Sequence, residues 1–409
     1  MEADSAEGRD WPKWWQALAG DKSPIHRPCF WDYADTMGSN LPGFIALLQE
    51  NRAVEPEGTE TGPEIECFTY GRWHKSFSQT GAQMALARVL GATNLCISLY
   101  DFMGNRPDDD SARAEFLYRW RPICDYLAQE FPPTLRSVGV GLPWSQEMGR
   151  HVHTDRGSDW RALEVPHRQW APWLGALGQA FAMGTQAEVN ALAGPVVWSF
   201  SDRELRDWLS RGVLLDPTAA EILLARGLGD LIGLRAGHWV TQRDILYAIE
   251  RTTDPAFGLR EGAQMSLNLV PSLWQGELLD GVRVVSELRD PQQRPVGHGL
   301  CLFENALGGR VMSVPWRASD PFYTTSLTVQ RWAQMTKALD WLARGRSLGR
   351  VEGGAWLVPQ FLNGSSVWRG GIWNASPDDL YVVNRHPKLT HHRRPILTHP
   401  EWWFSAPWS

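Results

Sequence analysis

The run Gly62–Ser76, GPEIECFTYGRWHKS, gathers two carboxylates (Glu64 and Glu66), three cationic or titratable side chains (Arg72, His74 and Lys75) and the aromatics Phe68, Tyr70 and Trp73. Glu64 and Glu66 stand two apart, so a strand here points both to one face. Two acids on one buried face cost desolvation energy unless cations or a reaction require them. Paired carboxylates beside aromatics suit glycosidic bond cleavage, where one carboxyl attacks and another moves a proton. A solvated, salt-bridged loop is the plainer reading of the same residues, and the elements around them decide between the two.

Other groupings carry less chemistry. His151, His153 and Asp155 have ligand-like spacing, but their polar loop offers no fourth partner, so no metal is expected. Val138-Gly139-Val140-Gly141 lacks the third glycine and the following helix of a dinucleotide fingerprint, and no cofactor is expected. Cys67 has no His and Asn or Asp partners arranged for a thiol nucleophile, and no cysteine marks an amidotransferase elbow. His386, His391, His392 and His399 fall among Arg and Pro in an irregular tail.

The elements that must position Glu66 alternate. A strand-like Cys29–Asp35 precedes a helix-like Leu41–Gln49; strand Glu64–Phe68 precedes helix Gln79–Leu90, capped by Ser76; strand Asn94–Phe102 precedes helix Ala112–Glu130. Such alternation predicts a parallel sheet with crossover helices. In these folds reactive groups sit at the carboxyl ends of strands, where Tyr33, Glu66 and Asp101 fall.

In the order RPCFWDY, PEIECFTYGRWHKS and LARVLGATNLCISLYDFMGN, the chain resembles the last third of the catalytic barrel in glycoside hydrolases of the family 42 β-galactosidase type and the related family 164 β-mannosidases. The resemblance implies a retaining glycosidase acting on β-linked galactosides or mannosides. It makes Glu66, at the end of the seventh barrel strand, the nucleophile, with Glu64 as the alternative; Thr69 stands where the family carries a turn proline. By position, Arg72 and Lys75 would keep Glu66 ionised, while Tyr33, Trp73 and Asp101 would orient sugar hydroxyls. A closed barrel takes about 250 residues. Residues 1–133 supply only three strand–helix units, a partial TIM-barrel segment, so the earlier units and their general acid are expected to lie outside this chain.

Beyond Phe131-Pro-Pro133, residues 134–345 read as a flavodoxin-like α/β domain: strand Ser137–Leu142, helix Trp173–Met183, strand Gly194–Phe200, then helices opened by Ser201 with Glu204 and by Asp216-Pro217. A β-rich insertion is expected over about 237–300, a hairpin over 299–315 and a closing helix over Thr328–Arg344. Residues 346–409 read as a small β-sandwich-like domain. In the resembled families the middle domain builds a trimer, so a homo-oligomer is expected.

Composition bounds the rest. A net charge of −6 without a basic patch excludes nucleic acid as partner, and no apolar run spans a membrane. The acidic start lacks a signal-peptide core. Five cysteines without a framework favour reduced thiols and the cytoplasm. Among 23 tryptophans, Trp31, Trp73 and Trp144 are placed to line a sugar subsite, and Trp198, Trp332 and Trp341 read as core. The rival to an enzyme is a non-catalytic carbohydrate-binding or oligomerising protein that keeps the pocket wall.

Overall fold

The computed structural model of the chain describes residues 8–30, 40–67, 74–100, 104–154, 157–184, 187–241, 248–267, 270–320, 326–365, 367–375 and 383–384. The chain divides into two compact units, one of Arg9–Val138 with the residues from Val351 on, the other of Gly139–Arg350.

The first unit opens with helix α1 (Trp11–Ala19) and strand β1 (Ile25–His26), followed by helix α2 (Leu41–Ala53), strands β2 (Glu60–Thr61) and β3 (Glu64–Glu66), helix α3 (Phe77–Val89), strand β4 (Cys96–Ser98) and helix α4 (Ser111–Glu130). β1 pairs in parallel with β2, Cys29 bridges in parallel to Glu64, and β3 pairs in parallel with β4. Three neighbouring chain segments therefore run in one direction, each followed by a helix. Local chemistry sets the helix starts: Pro42 occupies the first turn of α2, where its missing N–H costs nothing, and the Ser76 hydroxyl accepts from Gln79 N at 3.1 Å to cap α3. Gly81 brings α3 against α4, since an added Cβ would lie 2.1 Å from the Trp120 ring.

The sequence reading set 346–409 apart. In the structure its strands Leu357–Asn363 and Trp368–Asn374 form an antiparallel pair, and the first also pairs with strand β5 (Arg136–Val138) in a three-stranded sheet within the first unit. Gln49 Nε2 joins this sheet to α2 by donating to Ser137 Oγ and Gln360 Oε1, both at 3.0 Å.

The second unit is built on a seven-stranded sheet. In spatial order it runs Arg283–Val284, Cys301–Glu304, Arg310–Ser313, β9 (Gly212–Leu215), β8 (Val189–Leu192), β6 (Val140–Leu142) and β7 (Phe181–Met183). The last five are parallel, and numbering those five by chain order gives 2-1-3-4-5. Leu192, Val213 and Leu215 pack with Val196, Leu205, Leu209 and Leu223 in one apolar core. Between the helix Gly229–Ile232 and Cys301, the antiparallel pair Leu234–Thr241 and Ser272–Leu278 and a four-stranded sheet fill the chain.

Three elements differ from the sequence expectation. The helix expected over Trp173–Met183 ends at Ala176: Gly178 turns the chain at φ 70°, and Phe181–Met183 becomes strand β7. The strand expected over Gly194–Phe200 is a 3-10 helix, Gly194–Ser199, started by Gly194 at φ 57° and Pro195, and the strand lies earlier at β8. The strand expected over Ser137–Leu142 breaks at Gly139, whose φ of 148° and backbone contact with Ala180 admit no side chain, so β5 and β6 enter different sheets.

Candidate functional site

β3 is three residues long, and its alternation decides the site: Ile65 is fully buried on one face, while Glu64 and Glu66 share the other. Glu66, at the carboxyl end of the strand, is 9% exposed. Burial pushes its carboxyl up to about 7, helped by the hydrogen bond and the charge of Glu64, and Arg27 and Lys75 offset this only in part. Glu64 has its own cation: Arg27 Nη2 lies 3.2 Å from Glu64 Oε1.

Parallel register brings two thiols to Glu64. Cys29 on one side and Cys96 on the other stand opposite it in the neighbouring segments. The Cys29 thiol donates to Glu64 Oε2 at 3.9 Å, and Arg27 Nη1 donates to Cys96 Sγ at 4.0 Å, which with Glu64 holds the guanidinium charged. Strands about 4.8 Å apart place these sulfurs too far from each other to share one ion with Glu64. Among the described residues no group of three metal-ligating side chains occurs.

Lys75 lies beside Glu66, and its charge favours the ionised carboxylate. It is 4% exposed, and its ammonium donates to the Glu66 backbone carbonyl at 3.2 Å and to Gln83 Oε1. Gln83 in turn donates through Nε2 to the Phe30 carbonyl. This chain ties the ends of the β1 and β3 segments to α3, so Lys75 braces the strand end that presents Glu66. Tyr33, Arg72, Trp73 and Asp101, with Trp31 and Thr69, lie outside the described residues. Cys29 and Cys96 were missed as neighbours of Glu64, because the signal that finds them is the pairing of strands more than thirty residues apart, and Gln83 was missed because it meets Lys75 only once α3 packs on the strand end.

Trp144 and Trp198 lie half-buried against the core of the second unit, and His153 stacks on Trp198 at 4.1 Å. His151 and His153 form no ligand cluster there among the described residues. A cavity of about 600 Å³ in the first unit, walled by Pro12, Trp15, Pro24 and Glu55, lies before β1 and β2, at the end of the strands opposite Glu66.

No family model matches the chain, and no curated protein matches it in sequence. Solved structures do resemble it. Gan42B, a GH42 β-galactosidase, superposes with a TM-score of 0.57 at 10% identity over 89% of this chain and 55% of that one. A catalytic mutant of Gan42B from G. stearothermophilus gives 0.59 at 9% identity, over 91% and 56%. The α-L-fucosidase isoenzyme 2 from Paenibacillus thiaminolyticus gives 0.58 at 14%, over 82% and 53%. The chain thus spans about half the length of each. At such identities the likeness is one of fold, and the chain has a mixed α/β, glycoside hydrolase-like fold. Two of these three structures are of a family 42 β-galactosidase, the first of the two families the sequence resembles. Among the described residues no helix is long and apolar enough to cross a membrane.

Proposed function

We propose that the chain is a retaining glycoside hydrolase, or the part of one that carries the nucleophile, with Glu66 attacking the anomeric carbon of a β-galactoside. The observation that carries this reading is a buried carboxylate at the carboxyl end of a parallel strand, in a fold shared with glycosidases. Glu64 is not the second carboxyl of the mechanism. Its carboxylate is held by Arg27 and raises the Glu66 pKa, the part of a supporting acid beside the nucleophile. The general acid therefore comes from another segment. Glu66 must also lose its proton to attack, and sugar hydroxyls with Arg72 would favour its ionised form.

The three parallel strand–helix units support the partial-barrel reading, and the order 2-1-3-4-5 in the second unit is that of flavodoxin-like sheets. By the same resemblance we assign that unit to assembly of a trimer. Five free thiols favour the cytoplasm.

A second reading has its own support. Glu64 is paired to Arg27, and Lys75 ties the Glu66 backbone to Gln83, as in a pocket wall whose charges serve structure, and this favours a non-catalytic carbohydrate-binding protein. A 2-deoxy-2-fluoro-β-galactoside with a dinitrophenolate leaving group separates the two, because so good a leaving group needs no general acid. The expected result is a mass increase of one fluorosugar that maps to Glu66. No adduct, or one on another residue, overturns the nucleophile assignment.

A further inference from the structure

The open cavity of about 600 Å³ at the strand ends opposite Glu66 adjoins a buried pair of side chains that the proposed reaction does not use. That volume falls within the roughly 300–1,000 Å³ of small-molecule sites. Trp15 from α1 and Glu55 from the segment after α2 form two of its walls. His26 on β1 meets both: its ring stands edge-on to the Trp15 ring at 5.0 Å between centroids, and its Nδ1 lies 2.7 Å from Glu55 Oε1. Glu55 Oε2 accepts from Thr61 Oγ1 at 2.6 Å. A carboxylate only accepts, so it holds a proton on His26 Nδ1 and leaves Nε2 for another partner. Trp15 is 4% exposed and His26 2%. Trp15 Nε1 and His26 Nε2 are both buried, and neither has a hydrogen-bond partner in the chain. Buried polar atoms are rarely left so, and two neighbouring ones call for a partner from outside the chain.

The chemistry of that partner follows from the two atoms. Trp15 Nε1 only donates, whereas His26 Nε2 accepts when the ring is neutral and donates when it is protonated. An ammonium fails against the indole N–H, and a carboxylate fails against the neutral imidazole. A hydroxyl oxygen serves Trp15 and either form of His26. The rest of the cavity suits a neutral molecule with several such groups. Pro12, Pro24 and Pro56 give it apolar surface, Gln16 and Ser23 give uncharged hydrogen-bonding groups, and the exposed Asp21, Lys22 and Glu57 carry charges of both signs. We propose that this cavity binds a neutral polyhydroxylated molecule of the monosaccharide or polyol class, with its hydroxyls as the partners of Trp15 Nε1 and His26 Nε2. The site is separate from Glu66 and does not rest on any reaction there.

A water satisfies the same two atoms, and crystals of the full chain soaked in D-galactose or in D-sorbitol tell the occupants apart. The expected result is one of these molecules in the cavity with a hydroxyl within hydrogen-bond reach of Trp15 Nε1 or His26 Nε2; ordered water alone in both soaks overturns the proposal. In solution, the assigned Trp15 indole N–H resonance of the nitrogen-15-labelled chain should shift saturably as the same compound is added. A molecule seen in the crystal without that shift is binding at crystal concentration only, and it also overturns the proposal. Trp15→Phe keeps a ring but removes the donor, so it should weaken binding by about 2–12-fold in calorimetry; unchanged affinity removes Trp15 as a contact and overturns the site as stated. Should Trp15→Phe fail to fold, the soaks and the wild-type titration still decide.

Discussion

Glu66 in the first unit and Glu250 in the second are both buried carboxylates on strands, and they have opposite surroundings. Glu250 is fully buried, and burial alone would raise its pKa; Arg331 Nη2 at 2.7 Å, Ser286 Oγ at 2.6 Å and Gln334 Nε2 at 3.0 Å outweigh that and hold it below the usual range. Glu66 has burial and the neighbouring acid Glu64 against it, only partly offset by Arg27 and Lys75, and its carboxyl rises to about 7. Among the described residues, the fold gives one buried acid three side-chain donors and sets a second carboxyl beside the other. A group kept at the expense of stability, at the end of a strand, is where function is the better explanation.

The largest expected effect lies on the satisfied side of this contrast. Glu250→Gln leaves the fully buried Arg331 without its counter-charge, and breaking such a pair by removing one partner costs about 3–5 kcal/mol. Because the chain has two units, the loss should be read by native-state hydrogen exchange in the helix Val329–Leu342, which carries Arg331, and in the strand Ile249–Thr252. Unchanged protection in both would mean that the network is dispensable and that the comparison with Glu66 has no reference point.

What the sequence made legible follows the range of the interactions. The Ser76 cap, the Ser201–Glu204 capping box and the Asp216-Pro217 helix start are visible because side chain and backbone partner lie within a few residues. The shared face of Glu64 and Glu66 is visible for the same reason, through the period of a strand. Glu250 and Arg331, 81 positions apart, meet only after the strands and the helix have packed, and no local pattern announces them. Strand β7 was hidden because its apolar residues continue a helical run, and only the backbone turn at Gly178 separates them.

On the unsatisfied side the expected effect is smaller and opposite in sign. A carboxyl raised from 4.5 to about 7 binds more protons in the folded state than in the unfolded state between those values. Stability therefore falls as pH rises through that window, and the full deficit is present above pH 7. Glu66→Gln removes the charge that causes it. The variant should be more stable than the wild type at pH 8 by on the order of 1–3 kcal/mol, with the difference closing below pH 4.5. Urea titrations of both proteins at pH 4, 6 and 8 measure it. Parallel pH profiles would place Glu66 with Glu250 among the structural acids.

The smallest effects separate the causes of the Glu66 shift. Arg27 lowers the Glu66 pKa while its own side chain is 61% exposed, so Arg27→Gln should move the carboxyl further up and change stability by less than about 1 kcal/mol. Glu64→Gln removes the like charge and should move the same carboxyl down, though burial, the largest cause, keeps it above 4.5. Carbon-13 titration of the labelled Glu66 carboxyl reads both variants on one scale. The two shifts must differ in sign, and the Arg27→Gln shift should shrink in high salt, which screens an exposed guanidinium more than a buried acid. If neither variant moves Glu66, burial alone sets its protonation, the carboxylate pair has no electrical meaning, and the contrast with Glu250 reduces to the presence or absence of one arginine.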